Sequence, residues 1–219
     1  LDIVQKSAEI TEAGLLLDEL AKENKIGPIY ERKELVEYCF KKLLSNNNLM
    51  IVGKPGVGKN AIVESIAIRI ASITDENFPI KHVLQTNPSK LVEGCYYVGN
   101  LENKLLTLTK NCSDSKTVLF LDNAHLGIGL WSGSEASKND LINILNNSLL
   151  PDTRLICSVT PEGLKMLEGT HPEFTSGFVK VEVPPTTPEE TYRILKNLKE
   201  EFQKGKGIAN IQNTMLSEL

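Results

Sequence analysis

The chain has 219 residues and a formal net charge of −4, with 41% hydrophobic and 24% charged residues. This composition predicts a packed globular fold and argues against intrinsic disorder. The acidic balance argues against a general nucleic-acid binder, and the longest apolar runs are too short to span a bilayer. The chain starts at Leu1 without a basic segment followed by an apolar one, so we expect a fragment or processed product with no secretion signal.

The sulfur and imidazole groups point to a reducing environment. Four cysteines and three histidines are present. No two cysteines form a C-x-x-C pair, which argues against a zinc site. We expect reduced, mostly buried thiols in the cytoplasm or in an organelle interior such as that of a plastid or mitochondrion.

In chain order, the hydrophobic pattern predicts two helices and then strands that alternate with helices. The predicted helices span residues 8–23, 34–44, 59–73, 101–111, 140–149, 164–168 and 188–202. The predicted strands span residues 49–53, 79–84, 117–122, 153–159 and 178–183. This alternation indicates an α/β fold in which helices cover both faces of a parallel sheet.

A glycine-rich segment between the first strand and the next helix fits the phosphate-binding pattern G-x-x-x-x-G-K. Its backbone N–H groups and the following helix N-terminus are suited to an anion, and Lys59 is placed to reach the β- and γ-phosphates of a nucleotide. The residues expected to contact nucleotide are Gly53, Pro55, Gly56, Val57, Gly58, Lys59, Asn60 and Ala61.

The candidate magnesium site has an unusual residue in this loop. Asn60 occupies the position where Ser or Thr supplies a hydroxyl to Mg²⁺, and its longer amide side chain predicts weaker binding of the ion. Asp122, at the carboxyl end of a buried strand, is the second expected ligand. Asn123 follows it, where a Glu would activate the attacking water, and an amide can only orient that water. For His125 we favour a structural role over a metal or acid–base role.

Three segments resemble the first ATPase module of the Clp family of AAA+ protein unfoldases. Residues 56–64, GVGKNAIVE, are similar to the family's GVGKTAIVE. Residues 120–125, FLDNAH, are similar to its FIDEIH, and residues 91–99, LVEGCYYVG, to its LVAGxKYRG. Looser similarity extends over residues 17–202, which is most of the chain.

The resemblance implies a fold, a division of the chain and roles for several residues. It implies a three-layer P-loop NTPase fold, with a helical linker at residues 1–27, the AAA+ large subdomain at 28–203, and a hinge and truncated lid at 204–219. Ile29 and Tyr30 would line the adenine pocket, and Thr160 would sense the γ-phosphate. Tyr97 would grip a polypeptide in a ring pore, although a packed strand edge is the alternative interpretation of that segment.

The resemblance also implies partners, namely a polypeptide substrate, other AAA+ subunits in a ring and a Clp protease, with ATP or ADP and Mg²⁺ as ligands. The family's two arginines that reach a neighbour's nucleotide are replaced by Ser176 and Gly177, and the pore-loop Lys and Arg by Tyr96 and Val98. Three interpretations remain open: a nucleotide-binding module with little hydrolysis, a slow or active ATPase, and a scaffold that does not thread substrates.

Overall fold

The computed structural model describes residues 12–27, 32–131 and 140–206, with residues 201–206 described by their backbone alone. The strands are β1 (Leu15–Leu16), β2 (Asn48–Val52), β3 (His82–Thr86), β4 (Thr117–Leu121), β5 (Arg154–Val159) and β6 (Phe178–Glu182). The helices are α1 (Leu17–Lys22), α2 (Lys33–Leu44), α3 (Lys59–Ala71), α4 (Pro88–Val92), α5 (Val98–Asp114), α6 (Leu141–Ser148), α7 (Pro161–Thr170), α8 (Pro172–Ser176) and α9 (Pro188–Lys206), with a 3₁₀ turn at Ala124–Gly127.

The six strands form one sheet in the order β1-β3-β4-β5-β2-β6. The pairings β3·β4, β4·β5, β5·β2 and β2·β6 are parallel, which confirms the predicted parallel sheet. Strand β1 pairs antiparallel with β3 and was not predicted.

Alternating side chains on the central strands divide the core into two layers. On β4, Val118 and Phe120 pack in a cluster with α1, α2 and α3, whereas Leu119 and Leu121 pack with α5, α6, α7 and α8. All four side chains are fully buried. Successive strand residues point to opposite faces, so each face needs its own helical cover. The expected three-layer arrangement is therefore confirmed.

The prediction of one helix over residues 8–23 is wrong within the described residues, because a strand interrupts it before Leu17. A Cβ atom at Gly14 would lie 2.0 Å from the carbonyl oxygen of Gln85, so glycine is required for the chain to approach β3. The hydroxyl of Thr86 also donates to the carbonyl of Ala13 at 2.7 Å. Contacts distant in sequence thus override the local helical pattern. Residues 8–11 lie outside the described part of the chain.

A buried carboxylate fixes the same segment to the sheet. Asp18 accepts a hydrogen bond from the backbone N–H of Val83 at 3.0 Å and lies 2.8 Å from Nδ1 of His82. Burial raises the pKa of Asp18, but these hydrogen bonds and the charge of His82 outweigh it and hold the pKa below its ordinary value.

Several predicted boundaries also moved. The strand predicted at residues 79–84 is observed at His82–Thr86, and the short helix predicted at 164–168 begins at Pro161. Helix α9 continues to Lys206, so Lys204 and Gly205 in the predicted hinge are helical. Gly207 and the rest of the predicted lid lie outside the described residues, and the domain bounds stay a prediction. None of the helices described here is both long and apolar enough to span a membrane.

Candidate functional site

The glycine-rich loop joins the end of β2, which lies between β5 and β6, to the start of α3. Gly56 and Gly58 have φ angles of +80° and +92°, a region that favours glycine. A Cβ at Gly53 would lie 2.7 Å from Cγ2 of Val57 and 2.9 Å from the carbonyl oxygen of Val183. The loop therefore needs glycine at three positions, two for backbone shape and one for close packing.

Lys59 begins α3, and its side chain lies along the inside of the loop. The residue is 8% exposed, and Nζ donates to the carbonyl oxygens of Gly53 at 2.8 Å and Lys54 at 3.1 Å. Burial lowers its pKa, while the negative charge of Asp122 partly opposes that shift. A positive charge is thus held inside the loop by backbone carbonyls and one nearby carboxylate.

Asp122 follows β4 and makes hydrogen bonds through both of its carboxylate oxygens. Oδ1 accepts from Oγ of Ser158 at 2.5 Å, and Oδ2 accepts from Nδ2 of Asn60 at 3.3 Å. Ser158 is fully buried on β5 and also accepts from the backbone N–H of Asn123 at 2.8 Å. Sequence reasoning missed Ser158; the only signal was a hydroxyl in the otherwise apolar run of β5.

A cleft of about 390 Å³ opens beside this network. Eight of the predicted site residues line it together: Pro55, Gly56, Gly58, Lys59, Asn60, Ala61, Asp122 and Asn123. Gly53 and Val57 complete the loop behind it. The cleft thus combines turned backbone, one lysine and one carboxylate, which is the chemistry suited to a phosphate chain.

Asn123 and Thr160 are each part of local backbone structure. Asn123 has a φ angle of +54° and begins the 3₁₀ turn. Thr160 caps α7, where its hydroxyl oxygen accepts from the backbone N–H of Gly163 at 3.0 Å. Thr160 is not among the residues that line the cleft. Capping of α7 is therefore the role observed for the Thr160 hydroxyl, and a phosphate-sensing role stays a prediction.

His125 lies in the 3₁₀ turn, against the first turn of α7. A Cβ at Gly163 would lie 2.4 Å from Cγ of the His125 ring, so the ring packs directly on this helix. Burial lowers the pKa of His125, the charge of Lys59 lowers it further, and Asp122 and Glu162 act in the opposite direction. Its Nδ1 is buried and has no hydrogen-bond partner among the described residues. These contacts favour a neutral, packed imidazole.

Tyr96 and Tyr97 project into solvent in front of α5. They are 89% and 64% exposed, and Gly94 before them has a φ angle of +76°. Tyr97 is the N-cap of α5, and neither tyrosine lies in a strand. The packed-strand-edge interpretation is therefore wrong. Substrate threading by Tyr97 stays a prediction.

Other predicted positions lie apart from the cleft or outside the described residues. Ile29 and Tyr30, expected at the adenine, fall in the undescribed residues 28–31. Ser176 ends α8 and donates through Oγ to the carbonyl of Glu173 at 2.8 Å, with Gly177 immediately after. Neither residue can supply the positive charge of a guanidinium group.

The two expected magnesium ligands do not fit the ion as they are arranged. Magnesium requires oxygen ligands in near-octahedral geometry. Asn60 turns its amide nitrogen toward Asp122, since its oxygen there would face another oxygen with no hydrogen between them. Binding Mg²⁺ through both residues would require breaking this hydrogen bond and rotating the amide.

Comparison with known proteins gives one matching family and a set of similar sequences. The family model described as "ATPase family associated with various cellular activities (AAA)" matches residues 49–162. The tomato (Solanum lycopersicum) chloroplastic ClpA homolog CD4B, an ATP-binding subunit of an ATP-dependent Clp protease, is 33% identical over 204 residues. The chloroplastic chaperone protein ClpC1 of Arabidopsis thaliana is 33% identical over 203 residues.

These alignments cover 91% and 90% of this chain but 22% of each relative, so the chain spans about a fifth of their length. Among solved structures, Hsp104 of S. cerevisiae in an extended complex with casein has a TM-score of 0.76 and 24% identity. That likeness covers 91% of this chain and 34% of the Hsp104 chain, and it supports the fold.

Proposed function

The chain belongs to the AAA family of ATPases, as a Clp-type module, and from this premise we propose that it binds ATP or ADP with little or no hydrolysis. Membership in the family implies a nucleotide ligand and its usual companion ion, Mg²⁺. The magnesium site is weakened by Asn60, which presents nitrogen to Asp122. Adenine contacts from Ile29 and Tyr30 are part of the same proposal.

The observation that carries this proposal is the position of Lys59. Its buried ammonium group is held at 2.8 Å from the carbonyl of Gly53, within a loop whose glycines already have the required φ angles. A phosphate chain in the cleft would accept hydrogen bonds from the loop N–H groups and Lys59 without unfolding this framework. Binding therefore needs only groups that are present.

Hydrolysis needs groups that the described site lacks. Asn123 cannot accept a proton from water, and Ser176 and Gly177 cannot stabilise transition-state charge in a neighbour. A general base contributes about 10²–10⁴-fold in rate, and an arginine finger about 10³–10⁵-fold. These losses do not add simply, but either alone would leave the module with little turnover.

The module would act as one part of a larger Clp-type chaperone. Its relatives are named as chaperones and as a Clp protease subunit, which supports a ring with other AAA+ subunits, a polypeptide substrate and a Clp protease as partners. The exposed Tyr97 would contact the substrate, and hydrolysis would come from other modules. A second module downstream with intact catalytic residues would complete a working unfoldase.

A reducing organelle interior, such as that of a plastid, agrees with the thiols and with the relatives. All four cysteines are free. Burial raises the pKa of Cys39 to about 11 and of Cys112 to about 12, so these thiols stay protonated. Both sequence relatives described above are named as chloroplastic proteins.

Titration calorimetry with ATP and with ADP tests nucleotide binding. We expect sub-millimolar binding that Lys59→Ala weakens by about 10-fold to 100-fold, because hydrogen bonds to charged groups contribute about 1.5–3 kcal/mol. Lys110→Ala is the matched control, since this exposed lysine on α5 does not line the cleft. No heat with either nucleotide would sink the proposal and favour a scaffold.

The proposed lack of ATP hydrolysis is tested by measuring phosphate release with the neighbouring subunits present. Turnover of about one per second would lie within the usual range of enzymes. If Lys59→Ala abolished that turnover, the chain would be an active ATPase instead.

A further inference from the structure

Resting on the proposed nucleotide site, we infer that this chain binds nucleotide without magnesium, because the amide of Asn60 takes the place of the ion. A magnesium ion held there would neutralise the repulsion between the nucleotide phosphates and a strand-end carboxylate. Here that carboxylate, Asp122, has protein donors on both oxygens. Each oxygen of Asp122 therefore already has one hydrogen-bond partner without an ion.

The amide group of Asn60 has enough hydrogen-bond donors to take the place of the ion. The nitrogen of Asn60 carries two N–H groups, and one of them is directed to Oδ2 of Asp122 at 3.3 Å. Asn60 also lines the cleft, and in this inference its second N–H donates to a phosphate oxygen. One side chain can thus hold a carboxylate and a phosphate oxygen together. A Thr hydroxyl, with a single hydrogen, cannot donate to both.

The surrounding charges complete the neutralisation. Lys59 and Asp122 both line the cleft, and Nζ of Lys59 is held there at 2.8 Å from the carbonyl oxygen of Gly53. Ser158 donates to the second carboxylate oxygen from a fully buried position at 2.5 Å. With a hydrogen-bond donor on each oxygen and a lysine in the same cleft, the carboxylate presents less repulsion to an incoming phosphate than a bare one would. Ser158 is therefore a positioning residue for Asp122.

The test compares ADP affinity of the 219-residue chain in Mg²⁺ and in EDTA, using titration calorimetry. We expect the unaltered chain to change by less than about threefold between the two conditions. Asn60→Thr should weaken metal-free binding by about tenfold, the loss of one charge-assisted hydrogen bond, and Mg²⁺ should restore it. Asn103→Thr, the same change at an exposed position on α5, should behave as the unaltered chain does in both conditions.

The outcomes separate this inference from the proposed function. Binding seen only in Mg²⁺ would overturn the inference and leave nucleotide binding intact. Absence of binding in both conditions would overturn both. Equal metal dependence of Asn60→Thr and the unaltered chain would also overturn the inference, since the amide would then have no special role. Circular dichroism confirms that each variant is folded.

Discussion

The two halves of the cleft differ in what they can do. The loop half, from Gly53 to Asn60, has glycines in left-handed conformations and a buried lysine directed inward. The turn half, at Asp122 and Asn123, has its carboxylate hydrogen-bonded by Asn60 and Ser158 and an amide where a base would be needed. In the function proposed above, binding and turnover depend on different groups, so a module could retain the first while it lacks the second.

The most direct test of this difference is to introduce into the turn half and its Asn60 partner the residues that hydrolysis is expected to need. Asn60→Thr with Asn123→Glu should raise phosphate release by about 10²-fold or more over the unaltered chain, because a proton acceptor then faces the cleft. The assay uses Mg²⁺ and the neighbouring subunits.

The matched control pairs Asn60→Thr with Asn123→Gln, which has the length of Glu without its basicity. An equal gain in this control would show that a missing carboxylate is not what limits hydrolysis.

A second change removes the Ser158 hydroxyl, which is hydrogen-bonded to Asp122 and Asn123 in the turn half. Ser158→Ala should lower the free energy of unfolding by about 1–3 kcal/mol, because Oδ1 of Asp122 and the N–H of Asn123 both lose a partner. Urea denaturation measures the change. Ser72→Ala removes a hydroxyl that donates to the backbone carbonyl of Arg69 at an exposed helix end, and it should cost much less. Similar costs for the two would mean that the Ser158 network contributes little.

Packing beside the turn half gives a third test. Gly163→Ala should destabilise the protein by about 1–2 kcal/mol, since the added methyl group would meet the His125 ring at 2.4–2.7 Å. Gly169→Ala, in the same helix with nothing within 4 Å, should stabilise it by up to about 1 kcal/mol through helix propensity. Thermal unfolding of both variants provides the comparison. Stabilisation by Gly163→Ala would show that His125 is free to move away.

The smallest expected effect is a pH dependence from His125. Its pKa is lowered by burial and by Lys59, so the unfolded chain takes up this proton more readily than the folded one. Above about pH 6.5 the imidazole is neutral in both the folded and the unfolded chain and does not change the free energy of unfolding. As the pH falls below about 6.5 toward the pKa of the folded state, the free energy of unfolding decreases. His125→Gln should flatten this part of the stability curve in urea denaturation between about pH 5 and 8. An unchanged curve would mean that another group titrates.

Sequence patterns predicted the parts of the molecule whose signal is local. The strand, loop and helix around Lys59 follow from a short apolar run, glycines and a helical period, and they appear where expected. Strand β1 and its helix-like sequence were misread because pairing with β3 depends on residues about 70 positions away. Ser158 was missed for the same reason, since its partner Asp122 is 36 positions away. A single hydroxyl in a strand says nothing about what it will face.

The two edges of the sheet bear on how copies of this chain can associate. Unpaired strand edges invite strand-by-strand polymerisation, and proteins limit this with short strands, charges and proline. One edge of the described sheet is the two-residue β1, and the other is β6, where Lys180 and Glu182 are exposed just before Pro184. Neither edge is a good template for a further strand. We therefore expect assemblies of this chain to form through side-chain surfaces, which can come apart and re-form, and not through a shared sheet.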